Sequence, residues 1–213
     1  MLRPMSSKTE CKVLLALVTA AFVAFGWNPV ADRFTWFLEN VPTLIVAPIL
    51  IATYKRFPLT RLAYRLIAMH TVILMIGGHW TYAEVPIGNW ARDTFHLARN
   101  HYDRLGHLAQ GFIPVIIMRE LLVRQWTVKR GVLLNIVCVL MALGVSAFYE
   151  LFEWWTAVST GTAATAFLGT QGDVWDTQWD MFCALIGATL ALLIFSSLHD
   201  RELVGLEKET AKL

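Results

Sequence analysis

An all-α, polytopic membrane bundle of six transmembrane helices is the fold this sequence predicts, on three observations. The chain of 213 residues is 56% hydrophobic and only 16% charged, too little polar surface to cover a water-soluble globule of that size. Six apolar segments lie near residues 12–28, 36–54, 62–82, 102–121, 131–155 and 177–198, each about the 20 residues that a hydrocarbon core requires. With the N-terminus inside, 14 of the 18 Lys and Arg fall on the cytoplasmic side: Arg3, Lys8, Lys12, Lys55, Arg56, Arg61, Arg65, Arg119, Arg124, Lys129, Arg130, Arg201, Lys208 and Lys212. Only Arg33, Arg92, Arg99 and Arg104 remain outside, the asymmetry that sets orientation in membranes.

Inside a bilayer every backbone donor and acceptor must be satisfied within its own element, so each segment is expected to be a helix. The first follows Arg3, Lys8 and Lys12 and runs on to Trp27 without a small-x-small cleavage site. That favours a retained helix over a signal peptide, the alternative, which would leave the remaining topology unchanged. The second carries Pro42 and Pro48, which remove ladder hydrogen bonds and predict a kink. Between the third and fourth, residues 83–100 hold Pro86, Gly88 and a short surface helix from Trp90 to Ala98. Between the fifth and sixth, residues 156–175 are rich in Gly, Thr and Ala and contain no Lys or Arg. The inner loops are short and basic. Residues 1–213 are expected to form one membrane domain with both termini cytoplasmic.

The outer helix ends collect the polar chemistry. The third segment finishes in GGHWTYAEVP, residues 77–86, with His79 and Tyr82 three residues apart on one face. The fourth opens with NHYDRLGHLAQGF, residues 100–112, where Asn100, Asp103, His107 and Gln110 form a polar stripe, spread over about 80° at 100° per residue. The fifth ends in FYELFEWW, residues 148–155, with Glu150 and Glu153 on adjacent turns below Trp154 and Trp155. The sixth is preceded by FLGTQGDVWDTQWDM, residues 167–181, with Gln171 and Asp173 in the loop and Asp176 and Asp180 one turn apart.

A charge at the centre of a span costs roughly 2.5 to 3.5 kcal/mol on insertion scales, and less toward the interface. The summed cost for His107, Glu150, Asp180 and Glu39 predicts that they share an inward cavity reached by water from the noncytoplasmic face, rather than facing lipid. Some neighbours have simpler explanations. Asp176 suits a helix cap, and Asp103 gains from the helix dipole. Glu84, Asp93, His96 and His101 suit solvated loops, and His79 beside Trp80 suits an interface. His70 lies mid-span on the face opposite His79 and is expected to bond a neighbouring helix. Cys11, Cys138 and Cys183 show neither disulfide nor metal spacing and read as packing residues.

Carboxylates with imidazole and no thiolate suit a hard or borderline divalent cation, with one acid free to act as general base for a metal-bound water. Candidate ligands are Glu150, Glu153, Asp176 and Asp180. His107, Asp103 and Glu150 are the candidates for proton transfer, and His79, Tyr82, Gln110 and Asp173 for the pocket wall. No HExxH, di-iron ExxH, phosphate-binding Gly loop or paired Ser or Cys nucleophile is present. A basic face for nucleic acid is also lacking. Transport is disfavoured by inner helix halves composed mostly of Leu, Ile, Val and Ala, and by the lack of inverted-repeat symmetry.

The four quoted segments, in this order and over nearly the whole chain, resemble the hallmark segments of the YjdF-like family of bacterial inner-membrane proteins. The resemblance implies a multi-pass inner-membrane protein and no particular reaction. A fainter likeness is to VanZ-like membrane proteins, through Glu150 or Glu153, Asp176, Asp180 and Gly187, with Ala184 where that pattern has Asn. It implies an envelope or lipid-linked role. The sequence therefore points to binding of a polar head group or envelope precursor, with metal-assisted hydrolysis as the associated chemistry. Its partners would be membrane lipid and an envelope lipid or protein. The alternatives are a proton- or cation-linked transport accessory and a structural protein whose acidic cup binds another envelope protein.

Overall fold

The computed structural model describes residues 7–161 and 165–210, and within them the chain is helical without strands. In chain order the helices are α1 (Ser7–Gly26), α2 (Arg33–Thr53), α3 (Arg61–Trp80), α4 (Pro86–Phe95), α5 (Tyr102–Phe112), α6 (Pro114–Arg124), α7 (Val132–Thr160), α8 (Thr165–Leu168) and α9 (Asp176–Thr210). A 3₁₀ turn at Tyr82–Glu84 precedes α4. With α5 and α6 counted as one span, six segments are long and apolar enough to cross a membrane. Arg3, Lys212 and residues 162–164 of the Gly/Thr/Ala stretch lie outside the described residues.

The expected segments are present, with displaced ends. The kink expected from Pro42 and Pro48 does not divide α2, which is assigned as one helix across both. The fourth span is divided instead, at Ile113–Pro114, because Pro114 lacks the N–H that would bond the Gln110 carbonyl. The surface helix begins earlier than expected, with Pro86 at its first position, where a missing N–H costs nothing. α7 and α9 run to 29 and 35 residues, about 44 and 52 Å at 1.5 Å per residue, so both project beyond a hydrocarbon core of about 30 Å.

Two groups of helices make up the bundle. α3 packs against α1 and α2, while α9 packs against α5, α6 and α7, and the groups meet mainly where α3 touches α5. The α5–α9 crossing is a backbone-to-backbone approach. A Cβ on Gly111 would run into the Ala184 carbonyl, and one on Gly187 into the Leu108 carbonyl. Small residues permit such crossings in membranes, where van der Waals contact rather than solvent exclusion drives helix association. The crossing has a local consequence, since His107 lies one turn from Gly111 and Asp180 one turn from Ala184, so the two polar side chains are carried to the same place.

α2 is capped by Asp32, whose carboxylate accepts from Phe34 N at 2.8 Å, Thr35 N at 3.0 Å and the Thr35 hydroxyl at 2.6 Å. The Thr35 hydroxyl and backbone N–H hold the Asp32 carboxyl below its ordinary range. Asp32→Ala is expected to cost about 1 kcal/mol, read as the unfolding midpoint in detergent. Because the folded-state pKa is depressed, the cap's contribution is complete at neutral pH. It fades as pH falls below the ordinary Asp value of about 3.9 and through the lower folded-state one.

The basic end of the bundle also buries a polar network among its mostly aliphatic helix halves. Glu120 is fully buried and accepts from Thr60 N at 3.1 Å, the Thr60 hydroxyl at 2.7 Å and Arg124 at 2.6 Å, with His199 Nε2 at 3.2 Å. Arg119, also buried, donates to Asp200 at 2.9 Å and lies 3.1 Å from His199 Nδ1. These bonds tie the start of α3 to α6 and α9. Arg124, expected in a loop, is thus a helix-packing group, as is Arg119.

A buried acid–imidazole cluster beside a membrane cavity

α5 delivers Asp103 and His107 one turn apart, α9 delivers Asp180, and α7 delivers Glu150 and Glu153; all five are buried. One donor atom from each of Asp103, His107 and Asp180 lies within 4.8 Å of the other two. His107 Nδ1 is 3.0 Å from Gln110 Oε1. A carbonyl oxygen only accepts, so Nδ1 carries a proton there and Nε2 is the ring nitrogen left for the neighbouring acids. That nitrogen faces Asp103 Oδ1 and Glu150 Oε1, each at 3.6 Å, too far for a hydrogen bond. Glu150 Oε1 and Asp180 Oδ1 are buried with no hydrogen-bond partner. The cluster therefore gathers buried polar atoms that face one another without hydrogen bonds between them.

The cluster borders a cavity of about 340 Å³ between the two helix groups. Its acidic end is lined by Glu39, Tyr82, Asp103, His107, Tyr149 and Glu153, while Val46, Leu50, Ile67, Ile117, Met118 and Val145 line the remainder. Gln110 also lines it. His70, expected to bond a neighbouring helix, instead lines this cavity with its Nε2 buried and unpartnered.

Other candidates are occupied elsewhere. Asp176 is ion-paired with Arg99, which also donates to the carbonyls of Thr170 at 3.2 Å and Gly169 at 3.0 Å. Asp173 pairs with Arg104 at 2.6 Å. Asn100 N donates to Gln171 Oε1 at 3.0 Å, and Gln171 Nε2 returns a bond to the Asn100 carbonyl at 2.9 Å. These contacts strap the segment from Gly169 to Asp176 across the start of α5. His79 lies outside the cavity, its Nδ1–H bonded to the Phe25 carbonyl at 2.7 Å where α3 meets α1.

Sequence reasoning missed Arg99, which had been grouped with the outside charges and is only 6% exposed. Its spacing of i, i+4 to Asp103 was the available signal, realised as a 3.6 Å contact. Tyr149 was likewise unremarked, although it stands four residues before Glu153 and shares its face.

Residues 11–201 match the profile of a family described as "Predicted membrane protein (DUF2238)". The chain belongs to the DUF2238 family. It is similar to the inner membrane protein YjdF of Escherichia coli (strain K12), at 48% identity over 172 residues, covering 81% of this chain and 82% of that protein. No solved structure matches. Family membership and six apolar spans make this DUF2238 chain a multi-pass membrane protein. The acid–imidazole cluster and the cavity both lie within the matched residues.

Proposed function

We propose that this inner-membrane protein holds a divalent cation between Asp103, His107 and Asp180, with Glu150 beside it, and presents that cation to a polar head group or envelope precursor in the adjoining cavity. The observation that carries the reading is the His107 ring, held through Nδ1 by Gln110 and with its Nε2 facing carboxylates on three helices. A hydrogen bond to the non-ligating ring nitrogen is the usual outer-shell support of a metal-bound histidine. A tetrahedron with bonds of about 2.0 to 2.1 Å has edges of about 3.3 Å, so 3.6 Å between donor atoms is close to what a shared cation would set. A cation here would lower the pKa of a bound water, and Glu150 stands where it can accept that proton, the requirements of metal-assisted hydrolysis. In this reading the basic end of the bundle is cytoplasmic.

Passage of protons or cations across the bundle is the weaker reading. The polar cluster at the basic end is internally bonded, and an apolar layer of Leu62, Leu66, Ile113, Ile116 and Leu134 lies in the core between the two ends. Metal analysis of chain purified without chelator tests the proposal. About one divalent cation per chain is expected, lost in Asp180→Asn and His107→Ala and retained in Glu153→Gln, which lies on the cavity wall outside the cluster. A metal-free protein that binds none on titration would end it. Gln110→Leu is expected to weaken the cation by about 10- to 100-fold, the scale of lost outer-shell support.

A further inference from the structure

Of the carboxylates at the acidic end of the cavity, Glu39 and Glu153 are not part of the proposed cation site. They are only 4% and 8% exposed, both line the cavity, and neither has a hydrogen-bond or ion-pair partner among the described residues. Arg99, whose guanidinium lies 3.6 Å from Asp103, is engaged by Asp176 and by two backbone carbonyls. A buried carboxyl without a partner is costly whether ionised or neutral, and an ammonium group, which is cation and hydrogen-bond donor at once, would satisfy both acids. Tyr82 and Tyr149 line the same end, and aromatic rings beside carboxylates favour an ammonium group.

The rest of the cavity says how such an occupant is attached. From Glu39 to Leu50 along α2 the lining extends about 16 Å at 1.5 Å per residue, and beyond the acidic end it is mostly aliphatic, interrupted by Thr43, Thr71 and His70. The lining residues Val46 on α2 and Val145 on α7 are 39% and 44% exposed, whereas the acids are buried. α2 packs on α3 and touches α8 but has no comparable packing against α7. The cavity therefore opens sideways at mid-span, between α2 and α7, where the surroundings are hydrocarbon. Over its acidic end lies the strapped segment from Gly169 to Asp176.

We infer that the cavity takes a membrane amphiphile bearing an ammonium head group. It enters laterally between α2 and α7, sets its ammonium against Glu39 and Glu153, and leaves its chain along Val46, Leu50, Ile117 and Val145. The inference rests on the cation reading in one respect: it places the head group next to the Asp103, His107 and Asp180 cluster and so names the class of substrate that site would meet.

The test uses the full chain in a neutral detergent, with lysophosphatidylethanolamine, lysophosphatidylglycerol, dodecylamine and dodecanol as competing probes in native mass spectrometry. The two amines are expected to bind about tenfold more tightly than their amine-free counterparts, the scale of one partly buried cationic contact. The preference should vanish in the Glu39→Gln/Glu153→Gln double variant. Val145→Trp, which fills the lateral opening, should weaken all four probes while leaving metal content unchanged. Equal binding of amine and amine-free probes, or a preference that survives the double variant, overturns the inference. Metal analysis of the same samples separates the two ideas. A bound cation without amine preference removes this inference alone, and amine preference in a chain that binds no cation removes the cation reading alone.

Discussion

Arg99→Met is expected to destabilise the bundle by about 3 to 5 kcal/mol, the usual consequence of removing one partner from a buried ion pair. Among the described residues Arg99 is the only base bonded to Asp176, and it also satisfies the Gly169 and Thr170 carbonyls across about 70 residues of chain. Methionine of similar length fills the space but leaves a buried carboxylate and two carbonyls without donors. Asp103, 3.6 Å from the Arg99 guanidinium, loses a neighbouring positive charge at the same time. The variant should therefore show both a lower unfolding midpoint in detergent and earlier proteolysis within residues 169–176. Adding Asp176→Asn should restore part of the loss, since the uncompensated charge is then gone, and non-additivity of the pair measures their coupling.

Glu120→Leu is expected to cost about the same, 3 to 5 kcal/mol, by the same physics at the opposite end. Glu120 is fully buried, and its two oxygens take the Thr60 backbone N–H, the Thr60 hydroxyl, Arg124 and His199. Leucine leaves the first turn of α3 and the Arg124 guanidinium without their acceptor. The two variants differ in one readout. Glu120 lies at the basic end, separated from the acid–imidazole cluster by the apolar core, so Glu120→Leu should keep its cation stoichiometry under conditions where it remains folded. Arg99→Met should alter the affinity, since it takes a positive charge from beside Asp103.

The membrane bundle was legible in the sequence because hydropathy over about 20 residues reports a helix almost regardless of its neighbours. Its interruptions were less so. Pro42 and Pro48 look equivalent to Pro114 on paper, yet α2 continues through both while the fourth span divides at Ile113–Pro114. Whether a proline breaks a membrane helix depends on what surrounds the freed carbonyl. The stripe of Asp103, His107 and Gln110 was visible because it lies on one helix. The pairing of Arg99 with Asp176, and of Glu120 with Thr60 and His199, was not, because those partners stand about 60 to 80 residues apart and only helix packing joins them. Asp176 read as a cap and a ligand from its place in the sequence, with nothing there to announce its pairing with Arg99. The lateral opening at Val46 and Val145 also has no sequence signature, since a lipid-facing valine and a cavity-lining one look alike.

The claim on which the functional account turns is that one divalent cation is shared by Asp103, His107 and Asp180. Paramagnetic resonance of chain loaded with one equivalent of Mn²⁺, with ¹⁵N placed in the histidine rings, tests it most directly. A single bound Mn²⁺ should show coupling to one imidazole nitrogen that disappears in His107→Ala and persists in His70→Ala. A hexa-aquo signal without nitrogen coupling, or a coupling indifferent to His107, would contradict it.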